Sequence, residues 1–269
     1  MQAFVVHLEE KGLSASTIRQ AYLLIAGVFS SALDSGLIAR TPCRSFKLPQ
    51  KSQTEMRFLT TDEVAEVADA IDSPYRALVL TAAYTGCRFG ELAGLHAHRL
   101  DLAGRSLTVA ESLSDINGHL GLTPPKTAAA RRQIALPKLL TEELAQHLTQ
   151  YPPGPEGFVF SAPEGGPLRR RTFLRRVWLP AVEASVGQPL RFHDLRHTHA
   201  AVLIAQGEHP RVIQLRLGHS SIQVTLDTYG HLFEGLDEAA AERLDAIFLR
   251  TLADSSRTLD REDPPELGL

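Results

Sequence analysis

The sequence predicts a mainly α-helical protein that carries a small antiparallel β-sheet, an α+β class. Three observations predict it. Apolar residues recur at helical spacing over 18–33, 139–148 and 171–186. Between the first two runs, 105–111, 119–123 and 131–136 are short strand-like segments separated by turn residues. From residue 192 onward every ordered stretch reads as helix.

Taken in order, residues 2–10 form a helix end, and Gly12 separates it from the capping cluster Ser14-Ala15-Ser16-Thr17 before the run that Gly36 stops. Residues 40–49 are a Pro-punctuated exit, and the polar stretch 50–56 reads as a linker. Two helices in a segment of that size are marginal for independent stability. Thr60 with Glu63 three residues later is a capping box that starts a helix of about ten residues. Ser73-Pro74 opens the next helix, Gly86 ends it, and a short helix follows over 88–95. In the strand region, Pro124-Pro125-Lys126-Thr127 connects the second strand to the third. An edge-like strand at 158–160 lies between helices 139–148 and 171–186. Helices are then expected over 193–206, 209–217, 221–228 and 236–250, followed by a charged, Pro-containing tail over 253–269 that has no periodicity and is expected to be disordered.

Composition sets the class. Hydrophobic residues at 43% and charged residues at 22% are ordinary for a globular protein. With no signal-peptide pattern at the start and no apolar run near the ~18 residues of a membrane span, a cytoplasmic, membrane-free protein is expected. Cys43 and Cys87 lack CxxC spacing, so neither a disulfide framework nor a thiolate zinc site is expected. The net charge of −3 argues on its face against a polyanionic partner. Yet the sum is +3 over 1–54, zero over 55–233 and −6 over 234–269, so the acidity sits in the tail. Arginines bunch at 131–132, 169–171 and 175–176, and local basic patches are compatible with the sum.

The chemistry concentrates in 191–230. His193 and Arg196 stand three apart on one helix face and can converge on an anion. His193 and His197, four apart, are also spaced as the two histidines of HExxH, so a metal reading stays open, as does a plain helix start with Asp194 at its positive end. His219 and Tyr229 are ambiguous singly, since a tyrosine near a helix end usually packs. Upstream, Arg88 and Glu91 share a face of the short helix, where the carboxylate orients a guanidinium or forms a surface ion pair worth less than about 1 kcal/mol. Lys126 sits in a loop whose prolines restrict it, so that it can reach a substrate at little ordering cost.

The ordered set Arg88, Lys126, His193, Arg196, His219 and Tyr229, within TGCRFGEL, PKTAAARR, HDLRHTHA, LGHSS and TLDTYGH, resembles the tyrosine recombinases, also called phage integrases. The resemblance covers 57–233, and 13–49 as the end of the family's helical core-binding domain. It implies a partial SAM-like core-binding domain over 1–49, the linker 50–56, and a catalytic domain over 57–252. The implied activity is site-specific DNA recombination through a 3′-phosphotyrosyl intermediate, with no ATP, metal or other cofactor. Tyr229 is the implied nucleophile, Arg88 and Arg196 hold the phosphate, Lys126 is the general acid for the leaving oxygen, and His193 is the acid/base around the Tyr229 proton. His219 assists phosphate binding, and Glu91 supports the others from behind. The implied partners are double-stranded DNA with inverted-repeat half-sites and further copies of the chain in a tetrameric synapse, with the 236–250 helix docking on a neighbour. The chain starts near the middle of the family's core-binding domain, so an incomplete DNA clamp is expected, and a recombination-deficient DNA-binding or regulatory remnant is the alternative reading.

Overall fold

The computed structural model describes residues 1–43, 48–50, 56–125, 127–233 and 236–259. The chain divides into two compact units, Met1–Glu55 and Met56–Leu269. Within the expected linker 50–56, residues 51–55 lie outside the described residues. No helix among the described residues is long and apolar enough to cross a membrane.

In the first unit, α1 (Gln2–Glu10) and α2 (Ala15–Asp34) pack through Val5, Ile18 and Tyr22. The Ser14 hydroxyl caps α2 by accepting the Thr17 N–H at 3.3 Å. Arg19 donates to the carbonyls of Pro49 and Leu48 at 2.8 and 3.4 Å, which ties the exit segment back to the helix. Leu23, Leu24 and Val28 on α2 are exposed.

The second unit begins with the expected capping box. Thr60 accepts the Glu63 N–H at 3.1 Å while the Glu63 carboxylate accepts the Thr60 N–H at 2.8 Å, and α3 (Thr61–Ala70) starts there. A 3-10 turn at Ser73–Tyr75 leads into α4 (Arg76–Thr85), which is buried all round from Ala77 to Ala83 and forms the centre of the core. The short α5 (Phe89–Ala93) follows. Phe89, Phe173, Trp178 and Phe192 form a mostly edge-on aromatic cluster, with ring centroids 5.1–5.8 Å apart. Two of its members adjoin Arg88 and His193 in the chain, so the cluster anchors the backbone on both flanks of the site.

A three-stranded antiparallel sheet runs β1 (Leu100–Asp101), β2 (Ser106–Val109) and β5 (Arg132–Ala135), with Leu107 opposite Ile134 and Val109 opposite Arg132. The single strand expected over 105–111 ends early, at Val109. The chain then crosses into a separate hairpin of β3 (Ser112–Ile116) and β4 (His119–Thr123). Asn117 and Gly118 join the two at φ 54° and 84°, the positive pair that a two-residue hairpin turn requires. That dipeptide marks β3, which the sequence reading omitted. At the expected strand 158–160, Phe158 makes only an isolated bridge to His96, because prolines at 155 and 163 keep a ladder from extending.

α6 (Lys138–Gln150) follows β5. The helix expected over 171–186 is composite: α7 (Arg170–Phe173), a π turn at Leu174–Trp178, then α8 (Leu179–Ala184). Pro180 has no N–H to give the turn before it, and the widened turn absorbs the mismatch. Next come α9 (Asp194–Ala205), α10 (Pro210–Leu217), α11 (Ile222–Tyr229) and α12 (Leu236–Leu259). α12 passes its expected end at 250, so 253–259 is helix where a disordered tail was expected. No Gly or Pro occurs there before Pro264 to stop it. Residues 260–269 lie outside the described residues.

Candidate active site

Five helix ends and one strand build the site. α4 ends at Gly86 in the left-handed region, φ 67°, and this turn aims the Gly86 carbonyl at Arg196 and delivers Arg88 at the cap of α5. Glu91, in the first turn of α5, accepts the Arg88 N–H at 2.8 Å through one carboxylate oxygen and the Arg88 guanidinium at 2.9 Å through the other. Glu91 is 7% exposed, whereas the Arg88 side chain is 42% exposed. Arg88 therefore offers an open guanidinium whose position is set from inside the protein.

Glu91 has a second, buried partner. Arg132, the first residue of β5, donates to both of its oxygens at 3.1 and 3.0 Å, a bidentate pair. The same guanidinium donates to the carbonyls of Arg216 at 2.6 Å and Ala130 at 3.1 Å, so every face of this buried charge is met. Burial pushes the Glu91 carboxyl up, but the Arg132 hydrogen bonds and the Arg132 and Arg88 charges outweigh it and leave the group below the usual carboxylate range. Glu91 is ionised because it is clamped between two guanidiniums.

α9 contributes three functional side chains from its first turn. Asp194 accepts from the Arg191 backbone N–H and guanidinium and fixes the helix start. Arg196 is 2% exposed, and its fork donates to the Gly86 carbonyl at 2.5 Å and the Leu217 carbonyl at 2.6 Å. Burial and the neighbouring Arg88 charge lower its pKa to about 10, which still leaves it fully charged near neutrality. His193 is exposed, and its ring stands edge-on to His197 at 4.9 Å. Partial desolvation, His197 and the Arg196 and Arg88 charges lower the His193 pKa to about 4. Among the described residues, no three His, Cys, Asp or Glu side chains are grouped to hold a metal ion.

α10 ends at Gly218, again left-handed at φ 66°, and turns the chain into His219. A Cβ on Gly218 would lie 2.8 Å from Nη1 of Arg132, so the turn and the buried clamp require each other. His219 is 9% exposed, with Nδ1 2.8 Å from the Thr225 hydroxyl. Burial and the Arg196 and Arg88 charges lower its pKa to about 4. Thr225 and Tyr229 lie four apart on α11 and are both buried.

Tyr229 is 1% exposed, its ring in a cluster with Ala200, Ile204, Ile213 and Leu217. The His219 ring lies parallel to it within 10°, at 6.5 Å. Burial raises the phenol's pKa, partly offset by the Arg196 and Arg88 charges. The Tyr229 hydroxyl is 2.9 Å from Nδ1 of His197.

Arg88, Glu91 and His219 line one cleft of about 460 Å³ together with Pro124, Pro125 and Thr127. Lys126 itself lies outside the described residues. The remaining sequence-predicted residues come together: Arg88 and Arg196 act electrostatically on His193, His219 and Tyr229. Sequence reasoning missed Arg132 and missed the partner of Tyr229. Arg132 had a usable signal, because strand alternation puts it on the inward face with Ile134, where a charge needs a counterion. His197 was noticed only as a metal-ligand spacing, and the approach of α11 to α9 has no local mark.

Comparison with known proteins gives one assignment. The family model described as "Phage integrase family" matches residues 57–235. The ICEBs1 integrase of Bacillus subtilis is 28% identical over 257 residues, which cover 91% of this chain and 69% of that protein. The putative prophage phiRv2 integrase of Mycobacterium tuberculosis is 31% identical over 231 residues, covering 84% of this chain and 61% of that protein. The fold is that of the Tn1549 transposon integrase, solved in complex with a circular intermediate DNA, at a TM-score of 0.76, 24% identity and coverage of 90% of this chain and 84% of that one.

Proposed function

The chain belongs to the phage integrase family, the tyrosine recombinases, and we propose that it is a site-specific DNA recombinase that cuts and rejoins DNA through a 3′-phosphotyrosyl intermediate, of the integration or excision type. The observation that carries this reading is that two fixed guanidiniums, Arg88 and Arg196, act electrostatically on a buried tyrosine whose hydroxyl is hydrogen-bonded to the imidazole of His197, itself shifted toward the neutral form. The arginines neutralise the charge that develops on the non-bridging phosphate oxygens. Tyr229 Oη forms the bond to phosphorus as the bond from phosphorus to the 5′-oxygen breaks. The tyrosine proton passes to an imidazole, and Lys126 protonates the departing 5′-oxygen. Because the new link conserves the energy of the diester, attack by another 5′-hydroxyl reverses the step without ATP. His219, fixed by Thr225, adds a hydrogen bond to the phosphate, and Glu91 keeps Arg88 aimed.

Double-stranded DNA is the proposed substrate. Exposed Arg170 and Arg171 line a second hollow of about 740 Å³ under the β3–β4 hairpin, and Ser114 lines both this hollow and the cleft. A duplex whose diester enters the cleft would run its backbone over these arginines. Self-association on DNA is supported by α12, where Leu244 and Phe248 are more than half exposed at helical spacing. The test is a nicked suicide duplex carrying half-sites that the protein itself selects from a random pool. The parent is expected to leave a covalent adduct and Tyr229→Phe none. Binding without any adduct from the parent would instead favour the recombination-deficient DNA-binding reading.

A further inference from the structure

The arrangement around Tyr229 assigns a role to a residue that stood outside the sequence-predicted set. The Tyr229 ring is sealed among apolar side chains, and its hydroxyl is 2.9 Å from Nδ1 of His197 on α9. The two rings meet at 64° with centroids 5.7 Å apart, so the hydroxyl meets the edge of the imidazole at Nδ1, which accepts from it in the Nε2–H tautomer. His193, one turn earlier, is edge-on to His197 and is not the group in hydrogen-bond contact with the hydroxyl.

We propose that His197 receives the Tyr229 proton during attack on the phosphodiester and returns it when the phosphotyrosyl bond is resealed. This rests on the recombinase reading above. In the forward step the Oη–phosphorus bond forms, the bond from phosphorus to the 5′-oxygen breaks, the phenolic proton moves to Nδ1 of His197, and Lys126 supplies the proton of the 5′-hydroxyl. The transfer follows a hydrogen bond already in place, 2.9 Å from Oη to Nδ1. His197 is held in the neutral form that can accept, because burial and the Arg191 and Arg196 charges outweigh Asp194. The groups that face it are Asp194, Arg191, Arg196 and His193 from α9 and the turn before it, and Tyr229 from α11.

Two measurements test this. The first needs no DNA. By 15N NMR of the histidine rings, His197 in the intact protein should be the Nε2–H tautomer, and Tyr229→Phe should shift its Nδ1 resonance while leaving that of His199, bonded to the Ala83 carbonyl, in place. A proton on Nδ1 of His197, or no response to Tyr229→Phe, overturns the proposal. The second compares adduct formation on the nicked duplex for the parent and His197→Gln, with DNA affinity measured alongside. The variant should bind DNA as the parent does and form adduct about 10²-fold more slowly, the usual contribution of a positioned base. Its rate should also rise about tenfold per pH unit above neutrality, because the phenol must then ionise to solvent. A variant that merely packs worse would be slower with the parent's pH profile, and that result, like a rate within threefold of the parent, refutes proton transfer to His197. A parent that forms no adduct defeats the recombinase reading itself, and this inference with it.

Discussion

The two sides of the cleft handle charge in opposite ways. On one side, Arg132, Glu91 and Arg88 form a chain in which every group is ionised, and the inner pair is almost fully buried. On the other, His193, His197 and His219 are pushed toward their neutral forms by burial and by nearby arginine charges, and burial keeps the Tyr229 phenol neutral against the opposing pull of Arg196 and Arg88. Burial is the larger cause at the imidazoles, and the arginines add to it. They stay charged because a carboxylate and backbone carbonyls meet the two buried ones, and their fields then help keep the imidazoles unprotonated. The charged side holds a phosphate and contributes to the fold. The neutral side can exchange protons and contributes to the chemistry.

If this division is right, the charged side breaks first as structure. Arg132→Met leaves Glu91 as a half-paired buried carboxylate and should lower unfolding stability by about 3–5 kcal/mol, read by chemical denaturation. An unchanged midpoint would mean that the clamp contributes nothing to the fold. Acid comes next. His199 and His219 are buried and neutral, with pKa values of about 3 and about 4. The unfolded chain binds their protons as pH falls below about 6.5, so stability is full above that pH and is progressively lost toward pH 3. His219→Gln and His199→Gln should each flatten that decline.

Gly218→Ala tests whether the two sides share one scaffold. Its Cβ would press on Arg132 from a left-handed turn, and a loss of about 1–2 kcal/mol is expected. The smallest effect on stability is expected at the neutral side. Thr225→Val removes the partner of His219 Nδ1 at a cost of about 1 kcal/mol, yet should slow adduct formation more than a surface substitution of equal cost. A reversed pattern, with Thr225→Val unfolding the protein and Arg132→Met sparing it, would overturn the division of roles.

Much was legible without coordinates. The Thr60–Glu63 capping box, the glycine stop at Gly86, and most helix positions follow from local rules acting over a few residues. The order of Arg88, Lys126, His193, Arg196, His219 and Tyr229 pointed to phosphoryl transfer and to the family. Local rules misjudged the strand region, where β2 and β3 join different sheets, because the pairing partner of a strand is a long-range fact.

What the sequence by itself determined is therefore the inventory of the site: which reactive groups exist, and on which helix ends they stand. Only the tertiary structure decided the pairings. Arg132 reaches Glu91 across forty-one residues, and Tyr229 meets His197 across thirty-two. Such contacts depend on how α10 packs against β5, α9 and α11, and no periodicity within any one segment encodes them. The same packing buries the histidines and brings arginines near them, and both hold the imidazoles neutral, so the protonation states of the site, unlike its composition, are properties of the fold.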